Sequence, residues 1–465
     1  MTDDGVRPAR VRMLHLGAGA FFRAHTAVFT EDAHAGEPAG ERWGIAAVAH
    51  SSPAVARALR ARDGRYGLLE LGGGTARGRV VGAVREAHVA AEEPAAVRAR
   101  LADPEVTVVT VTVTEAGYHH DPVTRRLRAH DPDLQADLAG DPHRTAVGLL
   151  VAGLGDRAAA GAPGLSVLVC DNVDDGGPLL AGLVAEFCAR TGRGALADWV
   201  AEHVRFPTTV VDRIVPAPDE RARARVREHL GWADEASVVT ETHRQWVITD
   251  DLVAPRPAWE RAGALLVPDA APWARAKLRL VNAPHTALAL LGGLRGHTTV
   301  AGAMADDELA AAVTALLDEE LVPTVPAVPR LDPVATARSS LARFADPALA
   351  HPLAQIAADT SLKIGPRLLA PALELRRAGR APTGIGAVLG AWVYALRHAT
   401  DLPRDPHARR LVAAATTDDP VRAVLGLEDL VPAELGHDRA FLALVTEAHD
   451  RLVTDGTPRE DTSWT

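Results

Sequence analysis

The first half of the chain alternates short apolar runs with amphipathic stretches. Residues 11–16, 44–49, 106–113 and 165–170 are runs dominated by Val, Leu, Ile and Ala, each about the length of a strand. The 106–113 run is β-branched at almost every position, as expected for a strand buried on both faces of a parallel sheet. Helical spacing follows Arg23 as far as about Asp32 and returns over 53–62. This alternation predicts a doubly wound α/β domain. The run Gly72-Gly-Gly-Thr-Ala-Arg-Gly78 lies between strand-like segments and predicts a hairpin turn. From Ala274 onward the pattern changes to Ala, Leu and Arg at helical spacing, as over 307–320, 353–358 and 386–399. A proline-rich break at 322–329 separates two of these stretches. Pro268 and Pro272 interrupt the pattern between the halves. The predicted division is therefore an α/β domain over 1–270 and a mainly α-helical domain over 271–465.

Composition narrows the classes. The chain has 465 residues, 47% of them hydrophobic, enough for two substantial cores. A net charge of -10 with scattered arginines leaves no basic face for nucleic acid or an anionic membrane. Aromatics at 4% argue against a base-stacking surface. Cys170 and Cys188 are the only cysteines, too few for a disulfide framework or a zinc pattern. The start, Met-Thr-Asp-Asp, lacks the basic and apolar regions of a signal peptide, and no apolar run reaches the ~18 residues of a membrane span. The expectation is a cytoplasmic protein, a monomer or small homo-oligomer, whose partner is a small molecule.

Gly17-Ala-Gly19 directly follows the first strand and opens a helix, the context in which a dinucleotide pyrophosphate meets a helix N-terminus. The alternative is an ordinary strand–helix turn. Phe22 stands where the third glycine of the usual fingerprint would be. The second strand ends in His50-Ser51-Ser52, with no carboxylate to grip an adenosine ribose, and Arg57 and Arg60 follow. The cofactor expectation is NAD, with NADP possible.

The rarest residues carry the chemistry. Of the 50 Lys and Arg residues all but Lys277 and Lys363 are arginine, and Asn172 and Asn282 are the only asparagines. A lysine becomes a base once burial lowers its pKa, which arginine cannot do. An asparagine amide donates to an oxygen that is gaining charge. On an ideal helix His285 lies ~80° from Lys277 and Asn282 ~140° from it, so one cleft can receive all three while Arg279 points away. Pro284 is expected to kink this helix and free a carbonyl near Leu280. The alternative is an amphipathic helix with incidental polar residues. Asn172 follows the 165–170 strand, where open α/β sheets place ligands, and offers a second amide donor. Glu115 follows the 106–113 strand and suits a proton relay, a cofactor contact or a surface N-cap equally. Asp212-Arg213 is either an internal ion pair or a substrate contact through Asp212.

Together these segments resemble the mannitol dehydrogenase family of polyol-specific long-chain dehydrogenases. The matching pieces are Gly17-Ala-Gly-Ala-Phe-Phe-Arg-Ala-His25, Thr114-Glu-Ala-Gly-Tyr118, Cys170-Asp-Asn172, the segment from Phe206 to Pro216, Arg244-Gln-Trp-Val-Ile248, and Lys277 with Asn282 and His285. The resemblance implies a metal-independent NAD(P)-dependent secondary-alcohol dehydrogenase, with catalysis between a Rossmann-type and a helical domain. It implies Lys277 as general base, Asn172 and Asn282 as oxyanion donors, and His285 and Asp212 as substrate contacts. Gly17, Gly19, Phe21, Arg23 and Glu115 fall at the cofactor positions. Arg343-Phe-Ala-Asp-Pro347 and the segment from Gln355 to Arg367 are closer to the fructuronate reductase (mannonate dehydrogenase) branch. Lys363 and Arg367 would then bind a sugar-acid carboxylate, Arg in bidentate fashion; a solvated helix face is the alternative for Arg367. The expected substrate pair is D-mannonate/D-fructuronate, ahead of D-mannitol/D-fructose or another hexitol or pentitol. A non-catalytic nucleotide-sensing protein is the rival from another class.

Overall fold

The computed structural model describes residues 6–454, apart from 51, 123, 141–142, 218, 349–350 and 400–403. Its contacts divide the chain into two compact units, Met1–Ala271 and Pro272–Thr465.

The strands of the first unit are, in chain order, β1 Arg10–Leu16, β2 Trp43–Ala49, β3 Tyr66–Gly72, β4 Thr75–Val81, β5 Val84–Val89, β6 Val108–Val111, β7 Leu165–Val169, β8 Val204–Arg205, β9 Thr209–Asp212, β10 Val238–Glu241, β11 Gln245–Thr249 and β12 Leu265–Val267. Six form an all-parallel sheet in the order β5-β2-β1-β6-β7-β8. Every residue of β2, β6 and β7 is buried, which accounts for their uninterrupted apolar sequence. Successive side chains point to opposite faces. Met13 and Ile45 enter one core with Phe22, Trp246 and Trp259. Leu14, Leu16 and Ala46 enter the other with Leu150, Leu183 and Phe187.

The expected hairpin joins β3 to β4. Gly73 and Gly74 both have positive φ, 57° and 73°, as a two-residue turn matching strand twist requires. This pair is diverted from the main sheet and joins β10 in a three-stranded sheet, while β12, β11 and β9 form another. The 106–113 run yields a shorter strand than its composition suggests, because residues 112–114 leave β6 in a turn held by Asp171.

The second unit is helical. The helix Thr383–Arg397 packs on Arg439–Thr454, and a Cβ at Gly390 would lie 2.8 Å from Ala448 Cβ. The buried Glu320 carboxylate accepts from Gly384 N at 2.5 Å and Ile385 N at 2.9 Å, supplying the negative charge a helix N-terminus favours. Among the described residues three π-helical turns interrupt the α-helices, at Leu278–Asn282, Leu316–Leu321 and Gly365–Leu369. Among the described residues no helix is long and apolar enough to cross a membrane.

Candidate functional site

At the exit of β1, Gly17 has φ 104°, and a Cβ there would lie 1.9 Å from Thr112 O. Only glycine fits this approach between two strand ends. Gly19 has extended backbone and is exposed, and a Cβ there would meet nothing nearer than Gly17 O at 3.9 Å. That open space over the backbone suits a phosphate, so the loop fits a dinucleotide. Behind the loop lies His15, fully buried and held neutral by burial, with its pKa lowered to about 3. Its Nε2 is 2.9 Å from Gly17 O, and its Nδ1 is 2.7 Å from Thr110 Oγ1. A neutral ring satisfies both when Nε2–H donates to Gly17 O and the Thr110 hydroxyl donates to Nδ1. Phe22 stacks on His15 at 3.7 Å, which explains the missing third glycine. Phe21 is half-buried and stacks on His25 at 4.9 Å.

Arg23 is a correction. It is 1% exposed, and its guanidinium donates to Ala18 O at 2.6 Å and Ala236 O at 2.8 Å. A side chain so enclosed supports the glycine loop from behind rather than touching a cofactor. Of the residues ending β2, His50 and Ser52 are exposed, and Ser51 lies outside the described residues. Arg60 donates to Ala87 O at 2.6 Å and pairs with Glu93; Arg57 lies 3.9 Å from Glu92.

β6 and β7 end side by side. The Asp171 carboxylate accepts from Val113 N at 2.9 Å, Thr114 N at 3.2 Å and the Tyr118 hydroxyl at 2.6 Å. Burial raises its pKa, and the Tyr118 and backbone hydrogen bonds oppose that rise. Thr114 has φ 67° and ψ 161°, a region that costs a β-branched residue about 1–3 kcal/mol. Glu115, next in the chain, begins a short 3-10 turn, Glu115–Tyr118, and is exposed; so is Asn172, next after Asp171. Asp212 ends β9, is buried, and lies 3.5 Å from His243 Nε2. Its neighbour Arg213 turns the other way and pairs with Glu70, so the two adjacent charges do not pair with each other.

In the helical unit, Lys277 ends the helix Ala271–Lys277 and a π-helical turn follows. The ideal-helix projection therefore does not hold across this segment. The expected kink at Pro284 is replaced by this wider turn: Ala283 N–H bonds to Leu278 O, five residues back. Pro284 then takes the second position of the helix Ala283–Leu294, where a missing N–H costs little. Lys277 and Asn282 are half-buried. His285 is 8% exposed, 3.9 Å from the Phe344 ring and edge-on to His351 at 5.5 Å. Arg279 is buried and bonded to Glu374, away from solvent. Arg367 comes to the same helix: its Nη1 donates to Thr286 Oγ1 at 3.0 Å, and Thr286 donates to Asn282 O at 3.1 Å. Lys363 meets a different geometry from the one expected. Its ammonium donates to Ala358 O and to Ile356 O, at 3.3 Å in the latter case, closing the end of the helix Leu353–Ala357. Among the described residues no three His, Cys, Asp or Glu side chains converge as a metal site would require.

The profile of the mannitol dehydrogenase Rossmann domain matches residues 11–261, and that of the mannitol dehydrogenase C-terminal domain matches 269–453. The chain belongs to the mannitol dehydrogenase family. Relatives within the family include an uncharacterised oxidoreductase of Escherichia coli, 34% identical over 96% of this chain and 93% of its own. The D-mannonate oxidoreductase of the same organism is 31% identical over 96% and 94%. The solved mannitol 2-dehydrogenase of Pseudomonas fluorescens, in a ternary complex with NAD and D-mannitol, superposes with a TM-score of 0.86 at 30% identity, covering 96% of this chain and 93% of that one. This chain is thus an oxidoreductase of the mannitol dehydrogenase family, with its Rossmann-type sheet and helical C-terminal unit. His15 and Asp171 were not among the residues singled out in the sequence. A lone histidine inside an apolar strand was the one signal for the first; the second was masked by the neighbouring Asn172.

Proposed function

We propose that this chain catalyses reversible hydride transfer between NAD and a secondary alcohol of a linear aldonate, with D-mannonate/D-fructuronate as the preferred pair. The observation that carries the choice is Arg367. Its guanidinium reaches Thr286, the neighbour of His285, on the helix that begins just after Asn282. A half-buried, permanently charged fork beside these residues suits a sugar-acid carboxylate.

Lys277 takes the hydroxyl proton as the carbon is oxidised, and returns it in the reverse direction. The carboxamides of Asn172 and Asn282 donate to the oxygen as it gains charge. His285 and Asp212 orient the substrate hydroxyls. Gly17, Gly19, Phe21 and Glu115 hold the dinucleotide, whose nicotinamide supplies the hydride acceptor when bound. Preference for NAD over NADP is supported by Glu92 and Glu93, which lie against Arg57 and Arg60 and oppose a ribose 2′-phosphate there.

A neutral polyol is the second reading, favoured by the Lys363 ammonium, which donates to backbone carbonyls. Comparing kcat/KM for fructuronate and fructose, each with NADH and with NADPH, decides between the two. A clear preference for fructose overturns the aldonate assignment. Lys277→Ala is expected to lower turnover by about 10³-fold, and near-full activity in that variant would sink the mechanism.

A further inference from the structure

We propose that Asp171 is a positioning residue, a half-buried carboxylate that holds the exits of β6 and β7 together and thereby fixes Glu115 and Asn172; the role rests on the oxidoreductase reading above. Three donors converge on its two oxygens: the amides of Val113 and Thr114 and the hydroxyl of Tyr118. Tyr118 is fully buried, so its hydroxyl is delivered to Asp171 by a ring that is itself packed in place. Two of the three donors belong to consecutive residues, and the second of them is Thr114.

Thr114 is the reason a clamp is needed. Its φ of 67° and ψ of 161° belong to glycine, yet it carries a branched side chain and is exposed, with no core packing to enforce the conformation. The amide of Thr114 and the one before it both end on Asp171. Glu115 leaves the chain one residue beyond the strained position, and Asn172 one residue beyond the clamp. Two candidate site residues, one beyond the end of each of two adjacent strands, therefore take their backbone positions from one side chain. A carboxylate suits the task because it only accepts hydrogen bonds. An asparagine amide would turn an N–H₂ group toward at least one of the donors. Burial raises the Asp171 pKa, and the three hydrogen bonds, each of which favours the ionised acceptor, oppose the rise.

The test uses the full chain and four variants: Asp171→Asn, Tyr118→Phe, Thr114→Gly and the double variant Asp171→Asn with Thr114→Gly. Steady-state kcat and KM on the preferred substrate, melting temperature and amide exchange over residues 113–118 are measured for each. Asp171→Asn is expected to lower kcat by about thirtyfold or more with KM changed less than about threefold, since misplaced donors cost turnover rather than binding. Tyr118→Phe keeps the carboxylate and loses one donor, giving about a fivefold loss. Exchange at 113–115 rises about tenfold in Asp171→Asn.

The double variant discriminates. Glycine adopts the Thr114 conformation unaided, so Thr114→Gly recovers about tenfold of the kcat lost in Asp171→Asn without recovering its melting temperature. A residue needed only for stability would show the opposite: a lower melting temperature, kcat per folded molecule within twofold of the parent chain, and no rescue. Either unchanged kcat in Asp171→Asn or absence of rescue overturns the proposal. If the parent chain turns over no polyol or sugar acid with either nucleotide, the oxidoreductase reading fails separately. Exchange then decides the clamp, and unchanged protection of 113–115 in Asp171→Asn overturns it.

Discussion

Arg279 directs two hydrogen bonds into the carboxylate of Glu374, each 2.6 Å long, and a third to Thr324 O at 2.8 Å. Arg279 is 4% exposed and lies inside the π-helical turn between Lys277 and Asn282. The opposite side of the segment is thereby tied to the helix Ala370–Arg377. Glu374→Gln leaves the buried guanidinium without its counter-charge. The expected cost is about 2 kcal/mol, less than for a fully buried pair because Glu374 is partly solvated. Urea unfolding followed by tryptophan fluorescence measures it, and activity per folded molecule is expected to fall as well.

Gly17 and Gly19 separate folding from binding. Gly17→Ala places a methyl group 1.9 Å from Thr112 O at φ 104°, and is expected to cost about 3 kcal/mol or more. Gly19→Ala meets nothing within 3.8 Å in the chain itself and is expected to change stability by less than about 0.5 kcal/mol. It nevertheless covers the backbone of the proposed dinucleotide site. NADH affinity, read by fluorescence, is expected to weaken at least about tenfold in Gly19→Ala.

Acid sensitivity follows from two buried histidines. Burial lowers the pKa of His15 and of His25 to about 3, against 6.5 in an open chain, partly offset by hydrogen bonds to Gly17 and Gln245. Between those values the unfolded chain takes up protons that the folded chain refuses. Their contribution is therefore complete above pH 6.5 and lost as pH falls toward 3, at about 1.4 kcal/mol per pH unit for each histidine. Melting temperature is expected to drop steadily from pH 6.5 to 5, above the range where ordinary carboxylates titrate. His25→Gln should shallow that slope, and an unchanged slope would show that other groups set it.

Arg367 and Lys363 are expected to diverge. Arg367→Met should lower kcat/KM for fructuronate by about 10²-fold and for fructose by less than about fivefold, since only the former carries a carboxylate to pair. Lys363→Met removes donors from Ala358 O and Ile356 O and is expected to cost about 1 kcal/mol of stability. Kinetics of both variants on both substrates check the contrast.

The buried strands were legible because burial on both faces leaves an uninterrupted apolar run, as in Trp43–Ala49. The hairpin was legible because its turn needs two residues at positive φ, and glycines stand there. Lys277, Asn172 and Asn282 stood out by scarcity. What stayed hidden depends on which strands become neighbours. His15 meets Thr110 and Thr112, ninety-five and more positions away, only because β6 lies beside β1. Asp171 meets Thr114 for the same kind of reason, and Arg23 is enclosed by a loop over two hundred residues distant. The π-helical turns left no periodic trace, since one extra residue shifts the pattern without abolishing it.

That extra residue has a consequence for how the segment can vary. Removing one residue between 278 and 282 would regularise the helix and swing His285 by about 100° relative to Lys277. The shortened chain would lose nothing a helix needs, and would gain ordinary i to i+4 bonding. On the proposed mechanism, the spacing from Lys277 to His285 answers to the work of those side chains and not to what a helix requires. A one-residue deletion there would keep the helical hydrogen bonding but turn the buried faces of Ala271–Lys277 and Ala283–Leu294 out of register with each other.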